Sequence, residues 1–297
     1  MADPSEPAPP LAKRLQELAG SVSSVVAPIT LISAILFYFG YVYTTTEYGY
    51  FGLDVDTIGL STQEFVMRSP GPLLTPLLGA GLIAALVAVG HAAIRRRVEA
   101  ATANAPWRLS RFRRVARGCA LLGWVALGAG IALVVGFRLV GPLLPLYNLL
   151  TPAVLALGAA AGAYAIKLGR VLGGPPRRAA TLALYALLTT SLLWTTATLA
   201  QYAGLGAAVE LGQQLSTSRP SVVLDTKERL YLTTMTVDER TLPAGGDGQA
   251  FRFRYRNLRL LIQGKDRLFL VPSPWSRGDP TLVVPMDGEV RLWFQTR

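Results

Sequence analysis

Five apolar runs, at about 23–43, 72–94, 118–137, 146–166 and 179–202, contain no Asp, Glu, Lys or Arg in their interiors. Each provides roughly the 20 residues that a helix needs to cross about 30 Å of hydrocarbon. A helix packed on the core of a water-soluble protein keeps a polar stripe, and these runs show no charged one. They predict an α-helical transmembrane bundle of five spans. Only 138–145 separates the third run from the fourth, and Gly141, Pro142 and Pro145 predict a tight turn there. A re-entrant form of this pair leaves the C-terminus on the same side. Charged residues make up 16% of the chain, against about a quarter in a soluble domain. The shortage is local, because the last third has an ordinary charged composition.

The charges outside the spans set an orientation. The segment 95–117 holds Arg95, Arg96, Arg97, Arg108, Arg111, Arg113, Arg114 and Arg117 against Glu99 alone. Lys167, Arg170, Arg177 and Arg178 follow on the same side, with Lys13 and Arg14 at the N-terminus. The other side has Arg68 and Arg138, with Glu47, Asp54, Asp56 and Glu64. Cations gather on the cytoplasmic face of membrane proteins, so the chain is expected N-in/C-out in the plasma membrane. The net charge of +11 therefore needs no nucleic acid: the arginines stand where topology requires them, and anionic lipid attracts them further. Residues 1–22 form a cytoplasmic tail, with a Pro-rich, acidic start expected to be disordered and a short amphipathic stretch at 11–18. The first apolar run starts too far in and is too long for a cleavable signal, so it is expected to act as a signal anchor.

Ionisable residues inside a membrane mark ion and proton pathways, and these spans have none at mid-bilayer. His91, one turn before Arg95, sits near the inner interface, which disfavours a proton-coupled pump. Small residues recur at helix-packing intervals. Gly158 and Gly162 form a GxxxG, Ala161 and Ala165 share its spacing, Ala80, Ala84 and Ala88 lie on the second span, and Gly123, Gly128 and Gly130 on the third. Such residues let helix backbones approach, within one bundle or between protomers of a homo-oligomer. Ser191, Thr195, Thr198 and Tyr202 share one face of the fifth span, as a polar path or as hydroxyls bonded one turn back. The aromatics from Phe37 to Phe51 suit a membrane interface.

Beyond the membrane two segments carry order. In 44–70, Ser61 and Glu64 have capping-box spacing, which predicts a short helix to about Arg68. Asp54 and Asp56 fall short of a calcium loop. A helical stalk at 203–215 is expected to lead from span five into a small all-β antiparallel sheet or barrel, giving divisions at 23–203 and 204–297. Strands are expected at 221–224, 229–234, 251–256, 258–262, 268–271, 282–284 and 290–294. Turns at Gln263-Gly264-Lys265-Asp266 and at Asp287-Gly288 are each expected to close a hairpin. Alternation in 251–256 puts aromatics on one face and Arg252, Arg254 and Arg256 on the other. This ladder is the candidate contact for an anionic ligand or partner, because guanidinium pairs with phosphate bidentately. Cys119 is the only cysteine and His91 the only histidine, so no intramolecular disulfide and no structural zinc site is expected, and no cofactor is predicted.

At Tyr50-Phe51-Gly52, at 59–66, at Arg68-Ser69, at 255–261 and at 268–275, the chain resembles actinobacterial multi-pass plasma-membrane proteins with a C-terminal extracytoplasmic β domain. The resemblance implies a plasma-membrane location and carries no catalytic residue across. The expected function is that of a non-enzymatic integral membrane protein of the cell envelope. Its β domain would act as an interaction module for a protein partner or an anionic envelope polymer, while the bundle meets the lipid bilayer. The alternative is an oligomeric channel or a transport-complex subunit. Ser-His-Asp order, HExxH, a P-loop and paired catalytic carboxylates are all missing from the sequence; the outer acids Asp54, Asp56 and Glu64 are the remaining enzymatic candidates.

Overall fold

The computed structural model describes residues 11–104, 109–144, 146–232, 236–243 and 249–295, with side chains from 29 onward and not at 102–104. The predicted disorder at 1–10, the side chains of the amphipathic stretch at 11–18, and Pro145 lie outside them. Among the described residues, five helices are long and apolar enough to cross a membrane. These are the apolar part of α1 (Leu11–Gly49) from Ile29, α4 (Pro70–Asn104) through Ala101, α5 (Leu109–Val135), α7 (Tyr147–Val171) and α8 (Arg178–Ser218). A C-terminal antiparallel sheet follows. The chain is thus a helical membrane protein with a β sheet after its last span. It divides into a bundle unit, Gly71–Ala207, and a sheet unit made of the chain up to Pro70 together with Ala208–Arg297.

The bundle unit is built on α5 and α7, whose backbones nearly touch. A Cβ at Gly123 would lie 2.8 Å from the Gly162 nitrogen, and one at Gly158 2.8 Å from the Leu127 nitrogen. Between helices in lipid there is little hydrophobic drive, so close van der Waals fit supplies the attraction. Gly136 ends α5, and the link to α7 is the short α6 (Phe137–Val140) with a 3-10 turn, Gly141–Leu143. The Tyr147 hydroxyl donates back to the Leu133 carbonyl across this link. By contrast α4 leaves Leu74, Leu78, Leu82, Leu86 and Val89 exposed.

In the sheet unit, two short helices follow α1. α2 (Val55–Ile58) is capped by Asp54, whose Oδ1 accepts from the Asp56 N–H, and Gly59 closes it at φ 73°. α3 (Thr62–Arg68) starts on a full capping box: the Glu64 N–H donates to Ser61 Oγ at 3.3 Å, and the Ser61 N–H to Glu64 Oε2 at 2.7 Å. α1 and α3 meet so closely that a Cβ on Gly40 would fall on the Phe65 carbonyl.

The strands are β1 (Ser221–Thr226), β2 (Asp238–Thr241), β3 (Phe253–Gln263), β4 (Arg267–Pro272), β5 (Leu282–Pro285) and β6 (Val290–Gln295). They pair in the order β5-β4-β3-β1-β6, with β2 also on β3. The first predicted hairpin joins β3 to β4. The second does not form: β5 pairs with β4 while β6 pairs with β1, so Asp287-Gly288 links opposite edges of the sheet. Four strand spacings across a flat sheet are about 19 Å. The five links from Pro285 to Val290 reach about 18 Å when fully extended, and a turn with Gly288 at φ 83° shortens them. The sheet must therefore coil strongly. The strand expected at 229–234 is also absent over 229–232. There Tyr231 has φ 52°, and the Leu230 N–H donates to the Tyr255 hydroxyl rather than to a neighbouring strand. Its remaining residues, 233 and 234, lie outside the described ones. β2 lacks an apolar alternation, and pairing with β3 alone defines it.

β3 serves two cores because its register shifts twice, between Val222 and Leu224 on the β1 side and between Leu260 and Ile262 on the β4 side. Asn257, at φ 62°, stands in the first shift. A bulge reverses which residues face inward. Tyr255, Leu258 and Leu260 accordingly pack with Val222, Leu224, Leu268, Leu270 and Val284. Leu261 and Ile262, with Phe269 and Val271, join Tyr48, Phe51, Val55, Ile58, Phe65 and Leu215. The second core merges the 50–69 segment, the end of α8 and the sheet into one folded body. Gly264 is required at its edge, since a Cβ there would collide with the Ile58 carbonyl. The Thr281 hydroxyl donates to the Phe51 carbonyl at 2.8 Å, across 230 residues of sequence.

Candidate functional site

Alternation in β3 turns Phe253 and Tyr255 inward and leaves Arg254 and Arg256 on the opposite face. Arg254 is not available to a ligand, however. Its Nε and a terminal nitrogen donate to the two oxygens of buried Asp225 at 2.7 and 2.9 Å. Trp293 Nε1 donates to the same carboxylate at 3.1 Å. Asp225 is the acid of β1, opposite Arg254 on one side and Arg291 on the other. These hydrogen bonds, chiefly from Arg254, hold its carboxyl below the usual carboxylate range against the opposing effect of burial. Asp238 stands opposite Arg256 in register, but its carboxylate is taken by Arg240 at 3.1 Å. Arg252 lies just before β3 and, like Arg256, is exposed. Neither makes an ion pair among the described residues. Thus the three arginines do not act as one ladder. The central one locks β1, β3 and β6 together, and the outer two remain presented.

The same lock positions an edge. β6 is a six-residue terminal strand of the sheet. Trp293 is 49% exposed and Phe294 54%, on opposite faces of the strand. Two other strands also have an unpaired side: β2, paired with β3 alone, has four residues, and β5 has four and ends on Pro285, and such short strands and a proline blunt an edge against further pairing. The sequence shows the β6 strand and its aromatics. It does not show that the strand is terminal, because Asp287-Gly288 suggests a local partner.

The remaining candidates are structural. Within the bundle unit, Gly158 faces Leu127 of α5, whereas a Cβ on Gly162 would meet Leu184 of α8 at 3.3 Å. On α8, Ser191 and Thr198 are buried and Tyr202 is partly exposed. The Thr195 hydroxyl donates to the Ser191 carbonyl at 2.8 Å, while Thr198 donates to the Trp194 carbonyl at 3.1 Å and to the Asn148 carbonyl on α7 at 3.3 Å. Thr195 and Thr198 thus bond within α8, and Thr198 also pins α8 to α7. Asp54 and Glu64 cap separate helices, and Ser61's hydrogen bonds lower the Glu64 pKa. Among the described residues no group of three or more His, Cys, Asp or Glu is placed to hold a metal ion. His91 packs edge-on against Tyr164, ring centres 5.8 Å apart. No protein-family model, curated protein or solved structure matches the chain.

Proposed function

We propose that the chain is a non-enzymatic, membrane-anchored interaction protein of the cell envelope, with its N-terminus in the cytoplasm and its β domain outside the plasma membrane. The observation that carries this reading is the open β6 edge with exposed Trp293 and Phe294. An edge strand offers unpaired N–H and C=O groups to an extended segment of a partner, and flanking side chains supply selectivity. Aromatic residues are enriched at such contacts. The partner is an extended protein segment with acidic side chains, because exposed Arg291 lies on β6 itself and exposed Arg256 on β3, two strands in from that edge, with exposed Arg252 just before β3. The asymmetry of charge along the chain supports the orientation. The channel alternative draws no support from Thr195 and Thr198 of the hydroxyl stripe, which bond to helix carbonyls.

Two measurements test this reading. Gentle purification of the tagged protein after cross-linking is expected to recover a reproducible partner, and Phe294→Lys, which leaves the Trp293–Asp225 hydrogen bond in place, is expected to release it while the sheet stays protease-resistant. Unchanged recovery would overturn the edge as the contact. For orientation, Ser276→Cys in a Cys119→Ala background is expected to react with an impermeant maleimide on intact cells; labelling only after lysis overturns the outward placement.

A further inference from the structure

A second site lies in the bundle unit, at the end that carries the arginines. A groove of about 550 Å³ runs between α5, α7 and the start of α8. Small residues of the helices, among them Gly123, Gly162 and Ala165, line it together with Trp124, Leu127 and Leu184. Its lining is apolar except at one end, where Arg117 and Arg177 enter it. Neither guanidinium makes an ion pair among the described residues. The bundle unit holds thirteen Arg and Lys but a single acid, Glu99, and that acid is paired with Arg95 at 2.8 Å. The α8 helix also begins here: the Thr181 N–H bonds to the Arg177 carbonyl, so the amides of 178–180 precede the first helical hydrogen bond. Such amides carry partial positive charge and attract anions.

The dimensions select the ligand. From Arg117 to Leu127 along α5 is ten residues, about 15 Å of helix rise. Half the hydrocarbon thickness of a bilayer is also about 15 Å. The groove is thus one leaflet deep, apolar along its length and cationic only where a headgroup would lie. We infer that it binds one anionic phospholipid from the leaflet at the arginine-rich end. An acyl chain lies along Trp124, Leu127 and Leu184, and the phosphate sits between Arg117, Arg177 and the first turn of α8.

Native mass spectrometry of the full chain, delipidated in detergent and offered phosphatidylglycerol or phosphatidylcholine, tests this. The expected result is one phosphatidylglycerol retained per chain, with a roughly thirty-fold weaker affinity for Arg117→Gln/Arg177→Gln, since each cation contributes about fivefold to such binding. The charge-matched control Arg111→Gln/Arg114→Gln should retain it. Ala183→Phe, which fills the groove and keeps both arginines, should lose it, and free glycerol phosphate should not compete. Equal retention of both lipids overturns the headgroup contact. Equal loss in the control shows general surface attraction and overturns the site, as does competition by glycerol phosphate. A dimer carrying no lipid assigns the groove to a second copy and likewise overturns it.

Discussion

The two units of this chain solve the packing problem in opposite ways. Outside its membrane-crossing helices the sheet unit buries large side chains: Tyr255, Phe269, Ile58 and several leucines are almost wholly enclosed. The bundle unit removes side chains at its tightest contact, where Gly123 of α5 meets Gly158 and Gly162 of α7. Water explains the contrast. Against water, each large apolar side chain enclosed contributes about 1.5–3 kcal/mol. Against lipid tails that gain is small, and helices are held by close backbone contact and by hydrogen bonds such as Thr198 to Asn148. Polar groups follow the same division. The sheet unit encloses a carboxylate because Arg254 and Trp293 satisfy it, whereas the polar side chains of α8 mostly bond their own helix.

The largest test of this contrast is Phe269→Ala. Opening a cavity in the core shared by the 50–69 segment and the sheet should cost about 3–5 kcal/mol. Thermal unfolding should show it, and proteolysis should attack both segments at once; cleavage in the sheet alone would show that the two are not one body. Next comes Asp225→Asn, which withdraws the charge from the Arg254 and Trp293 hydrogen bonds and should cost about 1–3 kcal/mol at neutral pH. The sign with pH follows from the depressed carboxyl of Asp225. Its stabilisation is fully present above the ordinary carboxylate range and is lost as pH falls through the lower folded value. The native sheet should therefore weaken in acid along a limb that the Asn variant lacks, and parallel acid profiles would remove Asp225 from the lock.

In the bundle, glycine to alanine divides two effects of opposite sign. Helix propensity alone predicts a gain of up to about 1 kcal/mol. Gly128→Ala, where an added Cβ meets nothing within 4 Å, should be neutral or gain. Gly123→Ala should instead lose about 1–2 kcal/mol, because the helices must separate, and melting in detergent compares the two. Equal gains would mean that α5 and α7 do not depend on contact at this point. The smallest effect belongs to Thr198→Val, where loss of one interhelical hydrogen bond should lower the melting stability by about 0.6 kcal/mol.

Much of this was legible in the residues. Uncharged runs of sufficient length gave the five helices, because the requirement is one of length and polarity and both are local. Ser61 with Glu64 gave the α3 cap, and Gly264 gave the first hairpin, since each involves neighbours in sequence. Site residues were read less well. Arg252, Arg254 and Arg256 share a strand face by alternation, but the carboxylate that takes the middle one belongs to β1, 29 residues away.

The sequence by itself determined which segments must be helices, where strands alternate, and which positions permit backbones to touch. Only the tertiary structure decided that 50–69 and the sheet share a core, that β6 is an edge rather than half of a hairpin, and that two bulges let β3 face two cores. The physical reason is range. Periodicity, caps and turns are set within a few residues, while strand order and the pairing of Asp225 depend on which distant surfaces exclude water together.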